Sequence, residues 1–352
     1  MVSDNLAGIP TEPLYIDGTP EIRIYPRNAN QHANHHPYTH HHVYTGSGSD
    51  QYTDQHGLSP PIYANTKSLP IPMMAANTDN YPPAQWRLVI TPPAPGAWNM
   101  AVDEAILSAA GQGQVPPTLR LYAWEPACLS LGYAQPSADV DMLRLAERGW
   151  QMVRRPTGGR AILHTDELTY AVIGPLSEPR LAGSVLESYR CLASALLLAL
   201  HRLNIPAESH AAPAAVEQTS KGPVCFEVSS NYEITVAGKK LIGSAQARRK
   251  QGFLQHGALP LSGDLTRITQ VLAFADETAR QAAAARLLSR ATTAEQVSGT
   301  PLRWETAAQA FVEAFQEALN LHLLPAALSN EELSHANELM AEKFNHPAWT
   351  ER

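Results

Sequence analysis

From Trp86 onward the apolar pattern changes period along the chain, and that order constrains the fold most. Runs that read as strands crowd the first part and runs that read as helices dominate after Leu265. Strands are predicted at "WRLVI", "TLRLYAW", "CLSLGYA", "ELTYAVIG" and "FLQHGALPL", with a Glu-Pro turn between the second and third. An early helix, "APGAWNMAVDEAILSAAG", spaces Trp98, Val102, Ala105, Ile106 and Ala109 helically, with Asn99 as its expected N-cap and Gly111 as its stop. "VDMLRLAERGW" reads as a short helix. Ser184 and Glu187 form a capping-box pair that opens an apolar helix running to about Leu203. "YEITVAGKKLIGSAQAR" reads as a hairpin around Ala237-Gly238. "LTRITQVLAF", "TARQAAAARLLSRA", "WETAAQAFVEAFQEALN" and Asn330 to Phe344 read as the late helices. Few strand–helix alternations with helices late predict an α+β domain, its mixed or antiparallel sheets flanked by helices, rather than a doubly wound sheet.

Composition sets the boundaries. Residues 1–72 hold seven of the 14 histidines and six of the 12 tyrosines but no Phe, Trp or Cys. Such a segment cannot bury enough apolar surface to offset its ordering entropy, so residues 1–80 are expected to be a disordered tail. His40, His41 and His42 could meet a metal ion, but no Cys or carboxylate completes a rigid ligand set, and a flexible polar tail is the expectation. Residues 81–329 are expected to form the globular domain and 330–352 a C-terminal helix and tail packed on it. The formal charge of −7 argues against nucleic acid or an anionic membrane as partner. No apolar run approaches 20 residues, and Met1 to Pro10 lacks a basic stretch followed by an apolar one. Three cysteines, an odd number spread over a long chain, argue against a disulfide framework and point to a reducing, cytoplasmic setting.

Three segments carry chemistry. Cys128 and Cys191 fall in apolar runs and read as buried. Cys225 falls in a loop bounded by Gly222-Pro223 and Ser229-Ser230, where a nearby ammonium could lower its thiol pKa; an incidental cysteine is the alternative. "RRPTGGR", Arg154 to Arg160, places two glycines where backbone can approach a ligand, or else is a plain hairpin turn; its spacing is neither a P-loop nor a dinucleotide fingerprint. In "GKKLIGSAQ" strict alternation would put Lys240, Ile242 and Ser244 on one face and send Lys239 to solvent. A strand lysine facing a core is expensive unless paired or functional. His164 and His256 alone read as hydrogen-bonded structural histidines.

Together these segments resemble the lipoate/biotin protein ligase superfamily. The stretches "GAWNMAVDEAIL", "LRLYAWEPACLSLGYAQ", "CFEVSSNYEITVAGKKLIGSAQ", "LQHGALPL" and "KFNHPAWTER" resemble its LipM-type octanoyltransferase branch. The resemblance covers about Trp86 to Arg352. It implies a ligase-type catalytic domain that moves an octanoyl group from acyl carrier protein to a lysine of a lipoyl-domain protein, glycine cleavage H protein or a dehydrogenase E2 component. It puts Cys225 at the acyl-thioester nucleophile and Lys240 at the lysine that lowers its pKa. Arg155, Thr157, Gly158, Gly159, Arg160 and His164 fall on the acyl-site loop, and Gly243, Ser244 and Ala245 on the facing strand. An activated donor implies no ATP, metal or redox cofactor; a monomer is expected. Ile162, Leu163 and Ile242 are expected to help line an acyl tunnel. One departure is visible: the family reads His-Asp, whereas here Thr165 separates His164 from Asp166. The alternatives are an ATP-dependent lipoate–protein ligase, with Cys225 incidental, and a catalytically silent acyl-binding protein.

Translation is expected to start at Met73 or Met74, just before the resemblance begins. A chain beginning at Met74 should keep the thermal midpoint and transfer activity of the full chain. Loss of either, in side-by-side melting and transfer assays, would show that the tail is needed.

Overall fold

Ser184 illustrates how locally this chain is written. Its hydroxyl accepts from the Glu187 amide at 3.2 Å, and the Glu187 carboxylate accepts from the Ser184 amide at 2.7 Å, which fixes a helix start where the sequence predicts one. The structure is a computed structural model and describes residues 81–211 and 232–352. The predicted tail, 1–80, and Cys225 lie outside the described residues. In chain order the elements are β1 (Ala84–Ile90), α1 (Gly96–Gly111), β2 (Thr118–Tyr122), β3 (Cys128–Leu131), α2 (Met142–Glu147), β4 (Gln151–Arg154), β5 (Ile162–His164), β6 (Glu167–Gly174), α3 (Val185–Arg202), β7 (Glu208–Ala211), β8 (Tyr232–Val236), β9 (Lys239–Arg249), β10 (Gly252–Pro260), α4 (Glu277–Arg290), α5 (Ala294–Ser298), α6 (Trp304–Leu319), β11 (Leu321–Pro325), α7 (Asn330–Leu339) and α8 (Pro347–Thr350).

A large sheet runs β11-β1-β2-β6-β10-β9-β8-β7 and a small one runs β4-β3-β5. β1 lies parallel to β2 and β11, while β2 to β7 pair antiparallel across the rest of the large sheet. The α+β class with mixed sheets flanked by helices is therefore present. In β2, Leu119 and Leu121 enter the core beneath α3 and α6, whereas Arg120 reaches into α1. Both faces are covered, so β2 is buried at every position. Phe311 and Phe315 of α6 pack on Tyr170 of β6, and each such ring adds roughly 1.5–3 kcal/mol by burial. On the other face α1 packs with Tyr122, Cys128, Ile173 and Phe344.

Several expectations are corrected. Asn99 is not an N-cap. Pro95 precedes the helix, and Asn99 sits buried in the first turn, its amide donating to the carbonyls of Ala94 and Ala123. The plain hairpin turn weighed for "RRPTGGR" is excluded: strands do flank the loop, but β4 and β5 lie on opposite sides of β3, and the glycine loop crosses from one to the other. "LTRITQVLAF" is helical only as a 3₁₀ turn over Leu265–Gln270. The helix expected over Asn330 to Phe344 is α-helical only to Leu339 and changes to π-type winding at Met340–Phe344. β7 and β11 were not predicted; β11 is five residues long and ends in Pro325, too short for its alternation to stand out.

Arg154, at the end of β4, ties distant parts of the chain together. Its buried guanidinium donates to the carbonyls of Gly132 (2.9 Å), Trp349 (2.9 Å), Thr350 (3.2 Å) and Arg352 (2.7 Å), and the Trp349 indole donates back to the Arg154 carbonyl at 2.9 Å. Arg154→Met would leave these carbonyls without a donor. It should cost about 3 kcal/mol in urea unfolding and expose residues 347–352 to carboxypeptidase.

Candidate functional site

Alternation along β6 and β10 sets the floor of a recess between the two sheets. Thr169 and Ala171 of β6 pair with Ala258 and His256 of β10, which pair in turn with Gly243 and Ala245 of β9. The recess takes in about 370 Å³ of non-atom space, the open solvent at its mouth included. Beyond these strand residues it is lined by Met100, Tyr122, Trp124, Ser130, Arg155, Ile162 and His164.

Two chains of hydroxyl, imidazole and carboxylate meet there. In the first, Ser130 Oγ lies 2.8 Å from His164 Nε2, and His164 Nδ1 lies 2.6 Å from Glu167 Oε1. A carboxylate only accepts, so Nδ1 carries the proton and Nε2 accepts from Ser130. Trp124 donates to Thr169, which donates to Glu167 Oε1, and the indole stacks on the His164 ring at 3.9 Å. In the second, Thr157 Oγ1 lies 2.6 Å from His256 Nε2, and His256 Nδ1 lies 3.4 Å from Asp103 Oδ2. Arg120 donates to Asp103 Oδ1 at 2.6 Å and Tyr122 donates to Oδ2 at 3.0 Å. Burial alone would raise the Asp103 carboxyl; the Arg120 guanidinium and His256 outweigh it and hold it below the usual carboxylate range. Burial lowers His256, assisted by the charges of Arg155 and His164 and opposed by Asp103, so the imidazole is neutral at pH 7.

Arg155 shapes the glycine loop by donating to the carbonyls of Ser130 (3.0 Å), Gly158 (2.8 Å) and Arg160 (2.7 Å). Gly159 takes φ 94°, which only glycine adopts without strain. A Cβ on Gly132 would collide with the Gly159 carbonyl oxygen, whereas one on Gly158 would meet open space.

Lys240 is 3% exposed and pairs with Glu233 at 3.0 Å; it is not among the residues that line the recess. A bulge lets Ile242 pair with Ile234 while Lys240 pairs with Thr235, so alternation is not strict there. Lys239 does not simply point to solvent; its ammonium donates to the Leu288 carbonyl near the end of α4. Among the described cysteines, burial and the Glu167 charge push the Cys128 thiol up, and burial raises Cys191. Of the three residues expected to line a tunnel, Ile162 lines this recess, Leu163 a neighbouring one beside Arg267, and Ile242 another near Tyr189 of α3.

The model of the lipoyl protein ligase A/B catalytic domain matches residues 95–316. The chain belongs to this family. Its relatives include octanoyltransferase LipM of Kyrpidia tusciae, 41% identical over 76% of this chain and 98% of that one. That of Brevibacillus brevis is 38% identical over 76% and 99%. A bipartite lipoate protein ligase of Thermoplasma acidophilum shares the fold at a TM-score of 0.62 and 24% identity, covering 77% of this chain and 96% of that one. A lipoate-protein ligase A solved with ATP does so at 0.61 and 24%, over 76% and 98%.

In this family member the acidic partner of His164 is Glu167; Asp166 instead pairs with Arg267 at 2.7 Å. Sequence reading missed Glu167, Asp103, Arg120, Ser130 and Thr169. One signal was present: Asp103 interrupts an apolar helical stripe, and Arg120 alternates with leucines, so each needed a buried partner.

Replacing Gly159 by Val at its positive φ, or Gly132 by Ala against the Gly159 carbonyl, should cost about 1–3 kcal/mol. Gly158→Ala should stay within about 0.5 kcal/mol of the parent. Scanning calorimetry of the three variants checks the order.

Proposed function

We propose that the protein is an octanoyltransferase of protein lipoylation. It takes an octanoyl group from acyl carrier protein as a thioester and delivers it to a lysine of a lipoyl-domain protein, glycine cleavage H protein being the first acceptor to test. The observation that carries this is the match to octanoyltransferases over nearly their whole length. Cys225 is the nucleophile and Lys240 the ammonium that lowers its thiol pKa. A thiolate exchanges with a thioester without prior activation, and the acyl-cysteine stays reactive toward an amine, so ATP has no task in the cycle. Two observations support the assignment by contrast. Cys128 is buried against the first turn of α1, and both described thiols are shifted away from the reactive form. Arg155, Thr157, Gly158, Gly159, Arg160 and His164 shape the acyl site from the loop side, and Gly243, Ser244 and Ala245 face it from β9. Among the described residues no helix is long and apolar enough to cross a membrane; a cytoplasmic monomer is the proposed working form.

The ligase alternative rests on the shared fold of solved lipoate–protein ligases. With octanoyl carrier protein and no ATP, intact-mass measurement should show one octanoyl group on the protein, and Cys225→Ala should abolish both that adduct and transfer. Cys128→Ser and Cys191→Ser should still acylate, and Lys240→Ala should slow acylation and move its pH dependence upward. A Cys225→Ala protein that modifies a lipoyl domain only when ATP is present would establish the ligase instead.

A further inference from the structure

Aminolysis of a thioester needs a proton acceptor, because a lysine amine, with a pKa near 10.4, attacks only as the free base and must shed a further proton as the amide forms. Two imidazoles line the recess. His164 is poorly placed to collect that proton. Its accepting nitrogen is reached through Ser130, and the Ser130 oxygen already accepts from Arg155 at 3.1 Å, a cation at the point of entry. His256 differs. Its Nε2 faces the Thr157 hydroxyl of the glycine loop at 2.6 Å, and its Nδ1 faces the Asp103 carboxylate, which the Arg120 bond keeps ionised. Through the β10–β9 register it sits opposite Ala245, with Gly243 two residues away, so the strand beside it presents no bulk to an approaching carbonyl. The charged or titratable groups around it are Asp103, Arg155 and His164, and burial keeps the ring neutral and ready to accept.

We propose that His256 is the general base of the aminolysis step, oriented by Asp103. This rests on the octanoyltransferase reading. The amine lone pair attacks the thioester carbonyl and forms the C–N bond. Collapse of the tetrahedral adduct breaks the C–S bond and expels the sulfur with its electron pair. The amine proton goes to His256 Nε2, directly or through the Thr157 hydroxyl, and then to the departing thiolate. One amine and one thioester give one amide and one thiol, with no change of oxidation state. Asp103 holds the imidazole in the tautomer whose Nε2 is the acceptor, facing the Thr157 hydroxyl, and stabilises the imidazolium that forms.

The test separates lysine from a nucleophile that needs no protein base. Full-length protein is loaded with octanoyl carrier protein, and the acyl group is discharged in single turnovers either by a lipoyl domain or by hydroxylamine, which is largely unprotonated at neutral pH. His256→Gln keeps an acceptor for Thr157, and His256→Asn keeps a donor for Asp103, so each preserves one of the two native bonds. In whichever variant retains the parental melting midpoint, loading and discharge by hydroxylamine should stay within about threefold of the parent, while discharge by the lipoyl domain falls about 100-fold or more. Lipoyl transfer that stays near the parental rate would sink the proposal, and so would an equal fall with both nucleophiles, which marks a purely structural histidine. A parent protein that takes up no octanoyl group would instead remove the octanoyltransferase reading, and the proposal with it.

Discussion

The buried pair of Arg120 and Asp103 is the interaction around which one side of the molecule is organised. Both side chains are fully excluded from solvent. Stripping two ions of water costs several kcal/mol each, and their attraction offsets this only when the remaining donors and acceptors are also matched. Here they are. Arg120 also donates to Asn99 and Thr91, its guanidinium lies 3.9 Å over the Tyr122 ring, and Asp103 accepts from Tyr122. The set can close only when α1 lies across β2 in one register. That register is also what brings the Asp103 carboxylate beneath His256. A hydrophobic pair of similar volume could hold the helix to the sheet, but it would not orient an imidazole.

The same economy recurs in the glycine loop. Arg154 and Arg155 are neighbours in sequence and both are buried, yet they turn to different tasks. Arg155 gathers carbonyls of the loop itself, while Arg154 gathers those of β3's end and the last residues of the chain. The glycines then follow as a geometric necessity. Gly159 supplies the positive φ that turns the chain over β3, and Gly132 leaves the space through which its carbonyl passes.

What the sequence made legible follows physical range. The capping box at Ser184 and the Ala237-Gly238 turn are settled within a few residues, and both stand where they were expected; Ala237 and Gly238 have φ of 48° and 76°, as a tight hairpin requires. Arg155 and His164 of the loop motif and Gly243, Ser244 and Ala245 of the strand motif line the recess, and those motifs were legible because glycine and arginine patterns are local. The order β4-β3-β5 was not, since three strands with a loop crossing between them look, along the chain, like a hairpin. Lys240 was expected to need a partner, but that Glu233 provides it depends on the β8–β9 register, and a bulge altered that register. His256 was dismissed for the same reason: its meaning lies in Asp103, 153 residues away, and in Thr157, 99 residues away.

The bonds from Arg154 to Trp349 and Arg352 span 195 and 198 residues. During synthesis the strands of the large sheet from β1 to β10, together with Cys225, Lys240 and His256, leave the ribosome well before those residues do. A nascent chain at that stage already holds the residues of the proposed chemistry, yet the glycine loop still lacks the Trp349, Thr350 and Arg352 carbonyls that help hold its leading arginine. The seat of Arg154, next in sequence to the recess-lining Arg155, is therefore completed only when residues 349–352 dock.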